Sequence, residues 1–344
     1  MNVGYVYNPI YLEHDTGSHV ENSTRLTETI SVLKESNLLD QLINIPARAA
    51  TEEELLEIHI KSHIQNVANV AKAGGGWLDT DTITSSHSYE AALYAAGGLL
   101  TALDSLMNND VNSAFALVRP PGHHATKRRA MGFCLFNNIA VATKQALKKY
   151  NLNRVLIVDF DVHHGNGSQD SFYDDPNVLY FSTHLYPYYP GTGFIEQTGS
   201  GAGIGYTLNV PMPAWCGDAE YMKVFNKILL PAARHFQPQI IMVSAGYDTH
   251  WSDHLAFMQM SVSGFAKITG YLKDLANELC DGKLLFTLEG GYNIEALAHS
   301  IKATFEALMG KTNISDPIGP APERSGLPDI DSVIDSVLKT HRID

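Results

Sequence analysis

Eight short apolar runs, separated by longer segments of helical periodicity, constrain this chain more than any other feature. Residues 4–7, 42–45, 114–118, 155–160, 178–182, 206–210, 240–244 and 284–288 read as strands. Several are continuous apolar stretches rather than alternations, as strands covered on both faces are. Residues 22–37, 51–73, 87–107, 137–150, 218–236, 261–279 and 293–309 carry helical patterns. This alternation predicts an α/β chain: a single three-layer αβα domain around a mostly parallel sheet. The domain is expected over residues 1–310, followed by a Pro/Gly-rich connector at 311–328 and an amphipathic helix at 329–344. Ile330, Val333, Ile334, Val337 and Leu338 give that helix one apolar stripe, which either docks back or meets another subunit. A homo-oligomer therefore stays open.

Ligands of such folds bind at the carboxyl ends of strands, and polar clusters fall there. His123-His124 follows the strand at 114–118, and Asp161 with His163 follows 155–160. Ser182-Thr183-His184 closes 178–182, Asp248 follows 240–244, and Glu289-Gly290-Gly291-Tyr292 follows 284–288. Strand ends converging on one rim predict a single site.

Within Asp159-Phe160-Asp161-Val162-His163-His164-Gly165-Asn166-Gly167, residues two apart share a face while the backbone is extended. Asp161 and His163, joined by Asp248, supply three ligands and leave a position open, the count of a catalytic zinc. An Asp-x-His at a strand end can equally make caps and ion pairs; the double histidine and Asp248 favour the metal. Two metals would need further bridging carboxylates, and positions 166 and 250 offer Asn166 and His250, so one metal is expected. The donor set does not by itself select zinc over iron or cobalt.

Beside such a metal, one of His123 and His124 can take a proton from water and deliver it to a leaving amine. Asp159 is placed to orient one imidazole; Asn166 can touch the other without a full charge. Tyr292, on a glycine-rich turn, can donate to a developing oxyanion, although a lone tyrosine is more often core. Phe133, in Gly132-Phe133-Cys134, and Tyr189 can line a narrow channel; packing would explain either singly.

Charge narrows the partners. Lysine and arginine number 24 against 37 acidic residues, a net charge of −13, which is a poor footprint for binding nucleic acid. Three cysteines without a C-x-x-C pair fit a reducing compartment. The N-terminus lacks the pattern of a signal peptide and no apolar run reaches membrane-spanning length, so a cytoplasmic location is expected.

R-P-P-G-H-H-A (119–125), G-F-C-x-F-N-N (132–138), D-F-D-V-H-H-G-N-G (159–167), S-A-G-Y-D (244–248) and E-G-G-Y-N (289–293) together resemble the zinc-dependent histone deacetylase family. The resemblance runs in consistent order from about residue 3 to 309, and Asn166 with Glu289 is similar to the class II branch and its bacterial amidohydrolases. It implies the arginase–deacetylase fold, with an eight-stranded parallel sheet, and zinc held by Asp161, His163 and Asp248. It implies His124 as general base and acid, His123 as an electrostatic partner bonded to Asp159, and Tyr292 as oxyanion donor. Gly132, Phe133 and Tyr189 would border an acyl-lysine channel. Potassium would bind through the backbone of Asp159, Asp161, His163 and Thr183 and the hydroxyl of Ser182. A second potassium would take carbonyls of Phe172, Asp175 and Val178. Tyr189 stands where the family usually has Phe, after a short loop, and Leu255 stands where polyamine-specific relatives place a gatekeeping Glu.

The expected activity is zinc-dependent removal of acetyl from N-acetyl-lysine in a protein or peptide. The alternative is an acetylpolyamine or other small acetylated amine. A catalytically silent acyl-lysine reader is disfavoured by Tyr292 and the two histidines. An arginase-like ureohydrolase is disfavoured by Asn166 and His250.

Overall fold

The computed structural model describes residues 2–326 and 328–343; Met1, Leu327 in the expected connector and Asp344 in the expected last helix lie outside the described residues. Strands in chain order are β1 (Val3–Val6), β2 (Ile43–Asn44), β3 (Gly75–Asp79), β4 (Thr82–Ser85), β5 (Ser113–Ala116), β6 (Val155–Asp159), β7 (Val178–Leu185), β8 (Thr207–Met212), β9 (Ile240–Ala245) and β10 (Leu284–Leu288). Eight of them form one sheet in the order β2-β1-β5-β10-β9-β6-β7-β8. Every pairing in it is parallel. β6, β7, β9 and β10 are buried at every residue, which is why they read as unbroken apolar runs.

Helices cover both faces. Contacts link Glu52–Leu56, Lys61–Lys72, Ser88–Met107, Asn138–Lys149 and Asn166–Phe172 into one layer. The other layer holds Thr24–Glu35, the helical run 218–236, Val262–Leu279, Ile294–Leu308 and Ile330–His341. No described helix is long and apolar enough to cross a membrane.

Three departures from the sequence reading have local causes. The helix expected over 51–73 breaks between Leu56 and Lys61. There the Ile60 amide donates to the Lys127 carbonyl (3.0 Å) and the His59 ring bridges Thr126 O and the Asn137 amide. The run 218–236 loosens into a π segment at Phe225–Leu229, just before Pro231, which has no amide hydrogen to donate. The antiparallel hairpin β3–β4 was not expected, because its Gly- and Thr-rich strands carry no apolar run.

The helix Ile330–His341 docks on the edge strand β8 through Ile330, Ile334 and Val337, all buried, and so covers the sheet edge. Its apolar stripe is thus satisfied within the chain. Asp329 caps it by accepting from the Asp331 and Ser332 amides. The segment before it straps two loops: Trp251 Nε1, after β9, donates to Gly319 O (3.1 Å), and the Arg324 guanidinium lies 3.4 Å from the ring centroid of Trp215, after β8.

Register then places the chemistry. Cα pairings align Ala116, Thr287, Ser244, Asp159, Ser182 and Asn209 in one row across six strands. Parallel partners point to the same face, so the row changes from Ala to a polar belt at the carboxyl ends of the central strands.

Buried histidines make this fold acid-sensitive. Burial, the largest effect at each, lowers His14 to about 4, His59 to about 3 and His184 to about 4, from 6.5. The unfolded chain therefore binds protons below about 6.5 that the folded chain refuses. Through these histidines, stability should fall as pH drops from about 6.5 toward about 4, by up to about 1.4 kcal/mol per group per pH unit. Melting temperatures across this window check it; a flat profile would contradict it.

Candidate functional site

β6 ends at Asp159, and the loop that follows carries Asp161 and His163 toward the end of β9 and its Asp248. Asp161 Oδ2 accepts from the Gly290 amide (2.8 Å) and its Oδ1 from the His163 amide (2.9 Å). Asp248 Oδ1 accepts from the Val162 amide (3.0 Å). His163 Nδ1 lies 3.1 Å from Asp161 Oδ1 and 3.3 Å from Asp248 Oδ2. Asp248 Oδ2 is buried with no hydrogen-bond partner. The three ligand atoms fall within 4.8 Å of one another. A Cβ on Gly246 would sit 2.1 Å from Asp161 Oδ2, and one on Gly290 2.1 Å from Asp248 Oδ2, so glycine at both positions is what lets the two carboxylates occupy this cradle.

Electrostatics points the same way. Burial and the charge of Asp161 push Asp248 up to about 7. Burial alone would lower His163, but hydrogen bonds and charge from Asp161 and Asp248 hold it at about 9. Two buried carboxylates with an unpartnered oxygen need a cation between them, and a divalent metal fits this donor set. The expected ligands Asp161, His163 and Asp248 are thus brought together, while His250 stands apart from the cluster. Its Nδ1 pairs with Ser252 Oγ (2.9 Å).

His123, Cys134 and Glu289 form a second close group. Its donors are already engaged. Glu289 Oε2 accepts from the Gly122 and His123 amides (2.7 and 3.2 Å) and Oε1 from Ser244 Oγ (3.0 Å). Burial and the charge of Glu289 push the Cys134 thiol well up, so it stays protonated. This group holds the 119–124 loop against β9 and β10.

That loop presents both histidines, their ring centroids 4.0 Å apart. His123 Nδ1 donates to Asp159 Oδ2 (3.1 Å), which also accepts from Tyr180 OH (3.1 Å). His124 Nδ1 donates to Asn166 Oδ1 (2.8 Å). The environments drive the pair apart. Burial disfavours the His123 cation, yet Asp159, Asp161 and Glu289 raise it to about 10. His124 is pushed well down by burial, then by the charges of His123 and His163. One imidazole is cationic and its neighbour neutral, with both Nε2 atoms left free by these bonds.

The histidines share a narrow cavity of about 70 Å³ with His163, Phe133, Tyr189 and Tyr292. Tyr292 packs edge-on against Phe133 at 5.8 Å, and Tyr189 edge-on against His124 at 5.1 Å. Burial pushes the Tyr292 phenol well up, so it remains a donor. Phe133 adopts φ 68°, a left-handed conformation held in place from the unexpected hairpin. Its amide donates to Thr82 Oγ1 (3.1 Å) and that of Gly132 to Asp81 Oδ1 (3.2 Å). Asp81 also borders the cavity and was not singled out from the sequence. Leu255 lies outside this wall, half-buried, its carbonyl accepting from Tyr188 OH (2.6 Å).

Ser182 and Thr183 lie on β7, with Ser182 paired to Asp159 in register. His184 Nε2 donates to Gly193 O (2.9 Å), so its Nδ1 accepts from Ser182 O–H (2.9 Å), leaving the Ser182 oxygen's lone pairs free. Phe172, Asp175 and Val178 surround the turn into β7, where Asp175 N donates to Phe172 O and Val178 N to Asp175 O.

Beneath the rim runs an ion network that sequence reasoning missed. Arg25 donates to Gly291 O (2.7 Å), Glu289 O (2.6 Å) and Glu21 (3.0 Å), and Arg119 also pairs with Glu21. The Arg25 guanidinium sits 5.1 Å from the Tyr292 ring centroid. Arg119 lies in a quoted motif, but nothing in the sequence pairs it with Glu21, 98 residues away.

A family model described as "Histone deacetylase domain" matches residues 19–308. A protein named "Probable deacetylase" from Archaeoglobus fulgidus is 38% identical over 90% of this chain and 87% of its own. "Histone deacetylase 14, chloroplastic" from Arabidopsis thaliana is 38% identical over 88% of this chain and 76% of its own. Among solved structures, the HDA15 HD domain superposes with a TM-score of 0.89 at 34% identity, covering 99% of this chain and 94% of that one.

Replacing Asp248 by Asn should strip most of the divalent metal while the fold persists, because a neutral amide cannot replace the unpartnered buried carboxylate oxygen. Metal analysis of purified protein reads this; stoichiometric metal in Asp248→Asn would remove Asp248 from the ligand set.

Proposed function

This chain belongs to the histone deacetylase family, and on that premise we propose that it hydrolyses the amide of N-acetyl-lysine in proteins or peptides with zinc, releasing acetate. The observation that carries the reading is the split histidine pair: a neutral His124 and a cationic His123 facing one cavity with Tyr292 and His163, whose ring lies beside the carboxylates of Asp161 and Asp248.

The acetyl-lysine side chain passes between the Phe133 and Tyr189 rings, which exclude water from its alkyl stem. Asp161, His163 and Asp248 would hold zinc, which when bound would supply Lewis acidity for the amide carbonyl and for water. His124, its ring oriented by Asn166, takes a proton at Nε2 from the water that adds to the amide carbon. The His123 cation, fixed by Asp159, stabilises negative charge as it develops. Tyr292 donates its phenolic hydrogen to the oxyanion. His124 then returns the proton to the departing amine.

Potassium is the second proposed cofactor. The Ser182 hydroxyl oxygen and carbonyls of Asp159, Asp161, His163 and Thr183 hold one ion, and carbonyls of Phe172, Asp175 and Val178 another. Residues 1–310 make the catalytic unit, completed by the strap at 311–328 and the last helix. Three buried free cysteines suit a reducing compartment, the cytoplasm.

Tyr292→Phe should keep its metal and lose at least about 10²-fold in kcat; near-normal turnover would remove the phenol from the mechanism. The substrate class is read from kcat/KM on an acetyl-lysine peptide against N-acetylputrescine. The peptide should be preferred; a preference for the polyamine would move the protein to small-molecule amidohydrolysis.

A further inference from the structure

Tyr292 needs an anchor, because it sits on the irregular turn after β10, next to Gly291 at φ 117°. The anchor comes from another strand end. Asp253 is 4% exposed, in the loop after β9. Its Oδ2 accepts from the backbone amides of Tyr292 (2.6 Å) and Asn293 (3.0 Å), and its Oδ1 from the Leu255 amide (2.9 Å). Asn293 returns the tie by donating from Nδ2 to Ser252 O (3.0 Å), while its Oδ1 caps the helix Ile294–Leu308. The metal-bearing loop and the phenol-bearing loop are therefore locked through one buried carboxylate.

We propose that Asp253 is a positioning residue for the deacetylation reaction, fixing the Tyr292 phenol by clamping the backbone amides of Tyr292 and Asn293. The inference rests on the reading of Tyr292 as oxyanion donor. A charged acceptor shared by two amides makes shorter and stronger hydrogen bonds than a neutral one. Without it the 290–293 turn keeps the Gly290 bonds to Asp161 and to the Tyr247 amide, the Arg25 bonds to Glu289 O and Gly291 O, and the Asn293 side-chain tie, none of which engages the Tyr292 amide. Displacement of a catalytic group by about 1 Å can cost about 10²-fold in rate.

A double-mutant cycle on the metal-loaded full chain tests this, using Asp253→Ala, Tyr292→Phe and their combination. Asp253→Ala should lower kcat more than about tenfold, with KM little changed and metal stoichiometry intact. In the Tyr292→Phe background the same change should cost less than about twofold. An equal loss in both backgrounds, or unchanged kcat, would overturn the proposal. Should Asp253→Ala fail to fold, Asp253→Asn, which retains one acceptor oxygen, should give a smaller kcat loss that again vanishes in Tyr292→Phe. If the wild-type chain releases no acetate from any acetylated amine, the reading of function fails by itself. The clamp is then read by hydrogen exchange: the Tyr292 and Asn293 amides should exchange faster in the Asp253 variants, and unchanged protection would refute it.

Discussion

Carboxylates gathered at the ends of central strands, buried and in want of cations, are the constraint on which the rest of this structure depends. Glu21, Asp159, Asp161, Asp248 and Glu289 are all at most 1% exposed. Burying a charge is tolerable only when it is paired and hydrogen-bonded. Each carboxylate has a different answer: Arg25 and Arg119 for Glu21, the His123 imidazolium for Asp159, backbone amides and Ser244 for Glu289. Asp161 and Asp248 share the position where a divalent metal fits. The catalytic asymmetry follows from this arrangement. His123 is cationic because three acids outweigh its burial, and His124 is neutral because burial and then the charges of His123 and His163 disfavour its cation.

The parallel sheet lets sequence-distant groups meet with little loop structure. Asp159, Ser182 and Ser244 are adjacent by register alone. The short excursions beyond them carry Asp161, His163, Asp248 and Tyr292 over the same rim. Deacetylation thus needs no interdomain motion to assemble its groups, since a single α/β domain brings all of them to one face.

Much of this was legible in the sequence, for physical reasons. The central strands were readable because burial on both faces demands apolar runs, whereas the edge strand β2 is exposed at both residues and was marked by Leu42 and Ile45 beside it. Asp161, His163 and Asp248 stood out because they close apolar runs whose ends converge on one rim with the double histidine, where caps and ion pairs would explain an Asp-x-His alone. What was hidden depends on tertiary contact. The β3–β4 hairpin buries only Thr82 and Thr84, which leave no apolar pattern, and Asn166–Phe172 starts from Gly165-Asn166-Gly167 without helical periodicity. The break after Leu56 is imposed by Thr126, Lys127 and Asn137. Arg25 and Glu21 look like surface charges of an amphipathic helix start, yet both are fully buried. Leu255 was placed at the channel by resemblance and stands outside the narrow cavity wall.

The hairpin has one further consequence. Its Trp77 is 62% exposed, while Asp81 and Thr82 hold the backbone of Gly132 and Phe133. One side of the narrow cavity beside His124 and Tyr292 is therefore braced by a hairpin that stands outside the central sheet. Evolution can reshape such a hairpin at little risk to folding, and each change is felt inside the cavity. In a lineage of these enzymes, divergence in acyl-chain preference can begin at the protein's skin, leaving the metal ligands and both histidines as they are.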